Sequence, residues 1–83
     1  MDRNTVLTTL EDEFPNRRFM MVEAKDKDTL FLVLGPQSNC IYSSFLFDEK
    51  QNLFHSFRID MASFFEARNL MNVLYDIMMG ERK

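Results

Sequence analysis

Short polar connections between successive apolar runs are the feature that most constrains the fold of this chain. Four apolar runs occupy residues 19–24, 29–34, 41–47 and 53–59, and the connections between them are Lys25–Asp28, Gly35–Asn39 and Asp48–Asn52. A crossover between parallel strands needs about a dozen residues, whereas connections as short as these suit antiparallel hairpins. The sequence therefore predicts four strands, each pairing with its neighbours in antiparallel order.

Apolar residues at helical spacing precede these runs. The first helix carries its apolar stripe at Val6, Leu7, Leu10 and Phe14. Asn4 or Thr5 is expected to cap its first turn, because both side chains can accept a hydrogen bond from the backbone. Pro15 is expected to end it, because a proline disfavours the helical conformation of the residue before it.

A longer and more apolar helix follows the four runs. Asp60 or Ser63 can cap its first turn, and Gly80 suits the position after its last turn. Its predicted apolar side consists of Phe64, Phe65, Ala67, Leu70, Met71, Leu74, Ile77 and Met78. Val73, Tyr75 and Met79 extend this apolar arc beyond what one sheet face requires.

These elements predict an α+β fold of α-β-β-β-β-α order, with a four-stranded antiparallel sheet and both helices packed on one face of it. Residues 1–83 are expected to form one domain, because 83 residues are too few for two hydrophobic cores. A domain of this size buries only about 60% of the surface that its unfolded chain exposes. Its stability must therefore come from a well-packed core or from a second copy of the chain.

The residue types present argue against most catalytic and cofactor sites. The chain has one Cys and one His, which excludes a disulfide framework and a zinc site of several Cys and His ligands. Its two glycines, Gly35 and Gly80, are too far apart to form a loop that binds phosphate through its backbone. We therefore expect no enzyme activity, no cofactor and no metal site.

Cys40 and His55 are the one pair that could support nucleophilic catalysis. A hairpin turn between the third and fourth runs would place His55 opposite Leu46 and Ile59 opposite Tyr42, several residues away from Cys40. A Cys-dependent enzyme is therefore a remote alternative, and we expect His55 to be structural.

Alternation along the fourth run assigns its side chains to two faces. Leu53, His55, Phe57 and Ile59 are predicted to share one face, and Phe54, Ser56 and Arg58 the other. The imidazole would then lie among apolar neighbours.

Neither charge nor hydropathy indicates a nucleic-acid or membrane ligand. Ten Lys and Arg residues against thirteen Asp and Glu residues leave a net charge of −3, whereas nucleic-acid-binding domains are usually basic.

The longest uncharged stretch, residues 29–47, is interrupted by Gly35 and Pro36, and neither half reaches the ~20 residues of a membrane-spanning helix. The polar opening residues do not form a signal peptide. We expect a cytoplasmic protein without a membrane segment.

The apolar content nevertheless exceeds what one covered sheet face can bury, because the second run is apolar on both sides. The uncovered face is expected to draw on Phe19, Met21, Tyr42, Leu46 and Phe54, with Arg58 beside them and with Tyr75 and Met79 exposed on the last helix. Exposed apolar patches of this kind usually mark contacts with another protein.

We therefore predict a non-catalytic protein-binding module, a small inhibitor or regulator that occupies a surface of a larger protein or pairs with itself as a homodimer. Phage anti-defence proteins and immunity proteins are comparable in size and class, which is an analogy only. The acidic residues Glu11, Asp12 and Glu13 are a second expected contact. Together with Glu23, Asp26 and Asp28 they would face a basic groove if the end of the first helix lay near the first hairpin turn.

A nucleic-acid-binding regulator is the main alternative from a different class. It requires arginines to gather on one surface, and the chain offers Arg17, Arg18, Arg58 and Arg68 for this purpose. The negative net charge makes a nucleic-acid partner the weaker prediction.

Overall fold

The computed structural model describes residues 1–24, 28–60 and 63–80, and its elements follow the predicted order. The elements are α1 (Arg3–Glu13), β1 (Arg18–Glu23), β2 (Thr29–Leu34), β3 (Ile41–Asp48), β4 (Leu53–Ile59) and α2 (Phe64–Met78). The four strands form one sheet in the order β1-β2-β3-β4, and every neighbouring pair is antiparallel. The predicted α+β fold is confirmed.

Both helices pack on the same side of the sheet. α1 contacts β1, α2 contacts β4, and the two helices contact each other. Between them and the sheet lies a core of phenylalanine and aliphatic side chains from all six elements, namely Val6, Leu10, Phe19, Phe31, Val33, Phe45, Phe47, Phe54, Leu70, Val73, Leu74 and Ile77. These residues leave the opposite face of the sheet without a covering layer in the part of the chain that the structure describes.

Four phenylalanines form the centre of this core. The rings of Phe31 and Phe45 stack with their centroids 5.5 Å apart, and those of Phe47 and Phe54 stack at 4.6 Å. The Phe45 and Phe54 rings meet edge to face at 5.5 Å. Aromatic pairs in these geometries stabilise a core by about 0.5–1.5 kcal/mol each beyond the burial of their area, so β2, β3 and β4 are joined by side chains as well as by the ladder.

Asp2 caps α1, and not Asn4 or Thr5 as the sequence predicted. Its Oδ1 accepts a hydrogen bond of 2.8 Å from the backbone N–H of Thr5, and this bond lowers the pKa of the Asp2 carboxyl. The helix therefore starts two or three residues earlier than expected. It ends before Pro15, as predicted, and the Phe14 N–H still donates to the Leu10 carbonyl at 2.9 Å.

Ser63 caps α2, which decides between the two predicted caps. Its Oγ accepts from the Glu66 N–H at 3.3 Å, whereas the Asp60 N–H donates to the Tyr42 carbonyl at 2.7 Å. At the other end Gly80 has a φ of 74°, a left-handed conformation that glycine adopts without steric cost. The prediction for Gly80 is confirmed.

A β-bulge in β4 changes which side chains share a face. Leu46 pairs with His55 as predicted, but Ser44 pairs with Arg58 and Ser43 with Ile59, so one extra residue lies between these pairs. Ser56 lies in this interval with a φ of 57°, a conformation common in bulges and rare for serine. The predicted pairing of Ile59 with Tyr42 is therefore wrong by one residue.

Beyond the bulge, the side chains of β4 lie on the opposite faces from those that strict alternation predicts. Phe57 and Ile59 lie on the helix side of the sheet, where the Phe57 ring is 6.0 Å from that of buried Phe45. His55 and Arg58 lie on the other side. The predicted grouping of His55 with Phe57 and Ile59 is therefore wrong, because strict alternation does not continue through the inserted residue.

Among the described residues, the structure contains no helix that is both long enough and apolar enough to span a membrane.

Candidate functional site

The sheet side that carries neither helix, called the open face below, is built from two cross-strand rows. One row runs from β1 to β4 through Met20, Leu32, Ser44 and Arg58, and the other through Val22, Leu30, Leu46 and His55. Side chains that are directly opposite in a ladder share a face. Leu53, two residues before His55 on β4, lies on the same side.

The open face is apolar over β1 and β2 and becomes polar over β4. Met20 is 50% exposed, Val22 is 45% exposed, and Leu53 is 43% exposed. Leu30 and Leu32 between them are half-buried, shielded only by their neighbours. A soluble domain rarely leaves a contiguous patch of this kind without a partner, so the open face is the first candidate contact surface.

The expectation that Phe19, Met21 and Phe54 belong to the uncovered face is wrong. Phe19 and Phe54 are buried in the core, and Met21 packs against it. Strict alternation holds in β1, but it does not say which of the two alternating sets of side chains the helices cover. The open face carries the other set, including Met20 and Val22.

Of the other residues predicted for this surface, Leu46 and Arg58 do lie on the open face. Leu46 is half-buried at its centre, and Arg58 is exposed at its polar margin. The Nε of Arg58 donates to the Oδ2 of Asp60 at 3.2 Å.

Tyr42 belongs to a different cluster, which ties the loop before β1 to the start of α2. The guanidinium of Arg17 lies over the Tyr42 ring, 4.5 Å from its centroid. Its Nε and Nη2 donate to the two carboxylate oxygens of Glu66 at 2.7 and 2.6 Å. These hydrogen bonds raise the pKa of Arg17 above its ordinary value. The cluster connects the loop before β1 to α2, and its charged groups are partnered within the protein.

A cleft of about 680 Å³ opens beside this cluster, between the end of α1 and one flank of α2. Its polar lining includes Glu13, Arg17, Glu66, Asn69, Asn72 and Asp76. Arg17 and Glu66 bind each other there, and Glu13 and Asp76 also make interactions of their own. The charged residues of the lining are therefore engaged with other groups of the protein.

An exposed stripe on α2 is the second candidate contact surface. Phe64, Arg68, Met71 and Tyr75 follow one another at alternating intervals of four and three residues, and we call them the α2 seam. Phe64 is 76% exposed, Met71 38% and Tyr75 56%. The prediction that Phe64, Phe65 and Met71 belong to the apolar side that packs on the sheet is wrong, because all three are exposed. Val73, which was expected to widen the arc beyond that side, is buried in the core.

Tyr75 and Met79 are exposed on α2, as the sequence predicted. Phe64 and Arg68 were not predicted for a contact, although their heptad-like spacing with Met71 and Tyr75 is visible in the sequence. A search for two separate stripes on the helix would have found them.

The acidic residues of the first third do not form one patch. The start of α1 lies near β2 and the β3–β4 turn, because the Arg3 N–H donates to Glu49 Oε2 at 2.7 Å and its Nη1 to Thr29 Oγ1 at 3.5 Å. Its end lies beside the start of β1, where Phe14 contacts Phe19. Glu11, Asp12 and Glu13 are exposed at that end, while Glu23 and Asp28 flank the first hairpin turn at the other end of β1. Asp26 lies outside the described residues.

His55 is held on the open face by two neighbours. Its Nε2 is 2.7 Å from Asp28 Oδ2, and its Nδ1 is 2.9 Å from Ser56 Oγ. These three residues are the types of a Ser-His-Asp triad, but the serine and aspartate contact the opposite nitrogens from those used in serine proteases. The cleft described above lies on the other side of the sheet. We therefore interpret the arrangement as an anchor that fixes the start of β2 to the bulge in β4.

Cys40 is exposed and forms no disulfide. His55 pairs with Leu46, six residues further along the chain than Cys40, which corresponds to roughly 20 Å along an extended strand. The separation that the sequence predicted for these two residues is therefore found.

The arginines offered for nucleic-acid binding are spread over different parts of the molecule. Arg17 binds Glu66, Arg18 donates to the Ser38 carbonyl at 3.0 Å, and Arg58 contacts Asp60. Arg68 lies on α2. Within the described residues no group of three or more His, Cys, Asp or Glu side chains is arranged to hold a metal ion.

Comparison of the chain with protein-family models, with curated proteins and with solved structures gave no match. The candidate sites are therefore argued from the geometry alone.

Proposed function

We propose that this chain is a non-catalytic binding module that acts by placing the open face of its sheet on a larger protein. The observation that carries the proposal is the apolar patch of β1 and β2, where Met20 and Val22 are about half exposed and lie beside Leu30 and Leu32. In this reading the protein is a small inhibitor or regulator that works in the cytoplasm by occupying a surface.

The distribution of polarity on the open face defines the kind of partner. The partner would set an apolar ridge against β1 and β2, because Met20, Val22 and Leu32 offer no hydrogen bonds to it. Over β4 it would present an acceptor group, because the exposed guanidinium of Arg58 lies there. An apolar centre with a polar margin is the usual anatomy of a protein interface.

The test compares one substitution on the open face with a matched substitution elsewhere. Met20→Glu places a carboxylate on the apolar patch, and Phe65→Glu places one at an exposed apolar residue of α2 outside both candidate surfaces. Tagged wild-type and variant chains would be used to capture proteins from the source cells, and the affinity for the captured partner would then be measured with purified components. We expect Met20→Glu to weaken binding at least about tenfold, because a charge at the centre of an interface must be desolvated.

Circular dichroism and thermal melting of both variants verify that each is folded. Equal binding by wild type and by folded Met20→Glu would contradict the proposal. Equal loss of binding in both variants would also contradict it, because the effect would then not be specific to the open face.

A further inference from the structure

β1 forms one edge of the sheet, because its ladder partner is β2 and no strand lies on its other side in the described part of the chain. Consecutive residue pairs join β1 to β2 without a register shift, from Arg18 with Leu34 to Glu23 with Thr29. The pairings of β2 with β3 and of β3 with β4 each contain an irregularity. The outer edge of β1 is therefore a regular, extended backbone.

The ladder determines which backbone groups of β1 point outward. The Ala24 N–H donates to the Asp28 carbonyl at 2.8 Å, so these two residues form a hydrogen-bonded pair that continues the register of β1 and β2. Hydrogen-bonded and non-hydrogen-bonded pairs alternate along an antiparallel ladder. The N–H and C=O groups of Phe19, Met21 and Glu23 therefore point away from β2. Among the described residues, no backbone group outside the sheet hydrogen-bonds to them.

The opposite edge of the sheet, along β4, is obstructed. The bulge at Ser56 interrupts the extended backbone, and a bulge is one means by which an edge strand avoids pairing with a further strand. The Phe54 N–H donates to the Sδ of Met78 at 3.4 Å, so the end of α2 covers part of this edge. β1 contains no proline, no lysine and no bulge. Of the two edges, β1 is the one that can accept another strand.

The side chains along β1 indicate the chemistry of an added strand. Arg18, Met20 and Val22 alternate on the side of the open face, and the last two are about half exposed. The Arg18 guanidinium donates to the Ser38 carbonyl and to Asn39 Oδ1. Both acceptors are uncharged, so an acidic side chain on the added strand would complement the charge of Arg18. Apolar side chains would complement Met20 and Val22.

We propose that the partner of the open face adds an extended segment to β1 as a fifth, antiparallel strand of the sheet. This inference rests on the proposed function, because the same segment would place its apolar side chains beside the apolar patch. The outward N–H and C=O groups of β1 repeat at every second residue, which matches the backbone of another strand. A helix does not match them, because its backbone groups are hydrogen-bonded within the helix. The antiparallel direction is favoured because it is slightly more stable per residue.

A synthetic peptide tests the edge without the partner. Its sequence is Thr-Lys-Val-Thr-Val-Thr-Glu, with both ends blocked. In an antiparallel pair the glutamate lies beside Arg18, the two valines lie beside Met20 and Val22, and the lysine lies beside Glu23. The control peptide has the same sequence but is N-methylated at its central threonine, which removes the donor that would face β1 at the middle of the strand.

Nuclear magnetic resonance of the isotope-labelled chain reports where the peptide binds. We expect the amide resonances of Phe19, Met21 and Glu23 to shift during the titration, and their exchange with solvent to slow, because these amides gain an acceptor. The control peptide should bind at least about fivefold more weakly, because it lacks one hydrogen bond and its methyl group obstructs the pairing.

A substitution in β1 tests the same edge from the side of the protein. Glu23→Pro removes an outward N–H but no ladder hydrogen bond to β2, and proline is tolerated at such positions of edge strands. We expect it to weaken peptide binding at least about fivefold. Glu23→Ala is the matched control, because it loses the same carboxylate and keeps the N–H, so it should bind nearly as well as wild type. Circular dichroism verifies that both variants are folded.

Measured with the partner that the open face binds, these variants separate this inference from the proposed function. We expect both Met20→Glu and Glu23→Pro to weaken that complex. A loss in Met20→Glu alone would overturn the added strand and leave the open face as the contact. No loss in Met20→Glu would contradict the proposed function, and the peptide titration would then decide the use of the edge by itself.

Three further results would overturn the added strand. The first is the absence of resonance shifts at Phe19, Met21 and Glu23 up to millimolar peptide. The second is equal binding of the peptide and its N-methylated control. The third is a solution mass that rises with concentration in wild type and not in Glu23→Pro, because β1 of a second copy would then occupy the edge.

Discussion

At the scale of single residues, the bidentate contact between Arg17 and Glu66 connects the loop after α1 to α2. It joins the loop before β1 to the first turn of α2, and the Tyr42 ring covers the guanidinium. The Arg17 and Glu66 side chains are mostly shielded from solvent. Removing one partner would therefore leave a poorly hydrated charge without its counter-ion.

We expect Arg17→Ala and Glu66→Ala each to lower the free energy of unfolding by about 1–3 kcal/mol, as is typical of hydrogen bonds to charged groups. The double variant should lose less than the sum of the two, because each single change already breaks the same pair. Urea denaturation of the four proteins measures the coupling. The exposed pair Arg58–Asp60 provides the control, and its coupling should be clearly smaller. Additive losses at Arg17 and Glu66 would show that the contact contributes nothing to stability.

Single residues also show where sequence-based prediction reached its limit. The short turns, Pro15 and Gly80 were predictable because each has a strong local conformational preference. The left-handed φ of Ser56 was not, because nothing in that residue type requires a bulge. The extra residue then reversed the faces of Phe57 and Ile59.

At the scale of elements, the β3–β4 turn and the end of α2 are held together by one side chain. Asn52 has a φ of 53°, and its Nδ2 donates to the carbonyl of Ile77 at 2.9 Å. This bond adds a side-chain donor to a carbonyl of the last helical turn, which also accepts from the Gly80 N–H at 3.1 Å. The asparagine therefore serves both the turn conformation and the end of the helix.

Two substitutions separate these contributions. Asn52→Gly suits the left-handed backbone but loses the side-chain hydrogen bonds to the Ile77 carbonyl and from the Met1 ammonium, so we expect a cost of about 1 kcal/mol in the free energy of unfolding. Asn52→Ala loses the same bonds and keeps a Cβ in the left-handed region without the polar side chain that helps asparagine adopt it, so it should be roughly 1 kcal/mol less stable than Asn52→Gly. Thermal or urea denaturation gives both values. Equal stability of the two variants would show that the left-handed conformation is not strained.

The position of α2 explains why its exposed residues were misassigned. The spacing of apolar residues predicted one broad apolar side, but the buried residues of the helix begin at Leu70. Phe64 and Phe65 lie in the first turn, ahead of the part that packs on the sheet. Periodicity identifies the face that a helix buries, but it does not give the point along the helix at which packing begins.

At the scale of the whole molecule, the two candidate surfaces lie on opposite sides of the sheet. A partner bound to the open face would therefore leave the α2 seam exposed. The binding measurement described above tests the open face alone, because Met20→Glu does not alter α2.

The order of the strands has a consequence for how quickly the protein reaches its native state. Each strand of the sheet is hydrogen-bonded to the strand that precedes or follows it in the chain, so most of the ladder can form without closing a long loop. Proteins dominated by such local pairings refold faster than β-sandwiches of similar size. We expect refolding after a urea jump within milliseconds to tens of milliseconds, as measured by stopped-flow circular dichroism. Refolding over seconds would indicate that the distant contact between α1 and α2 must form before the sheet.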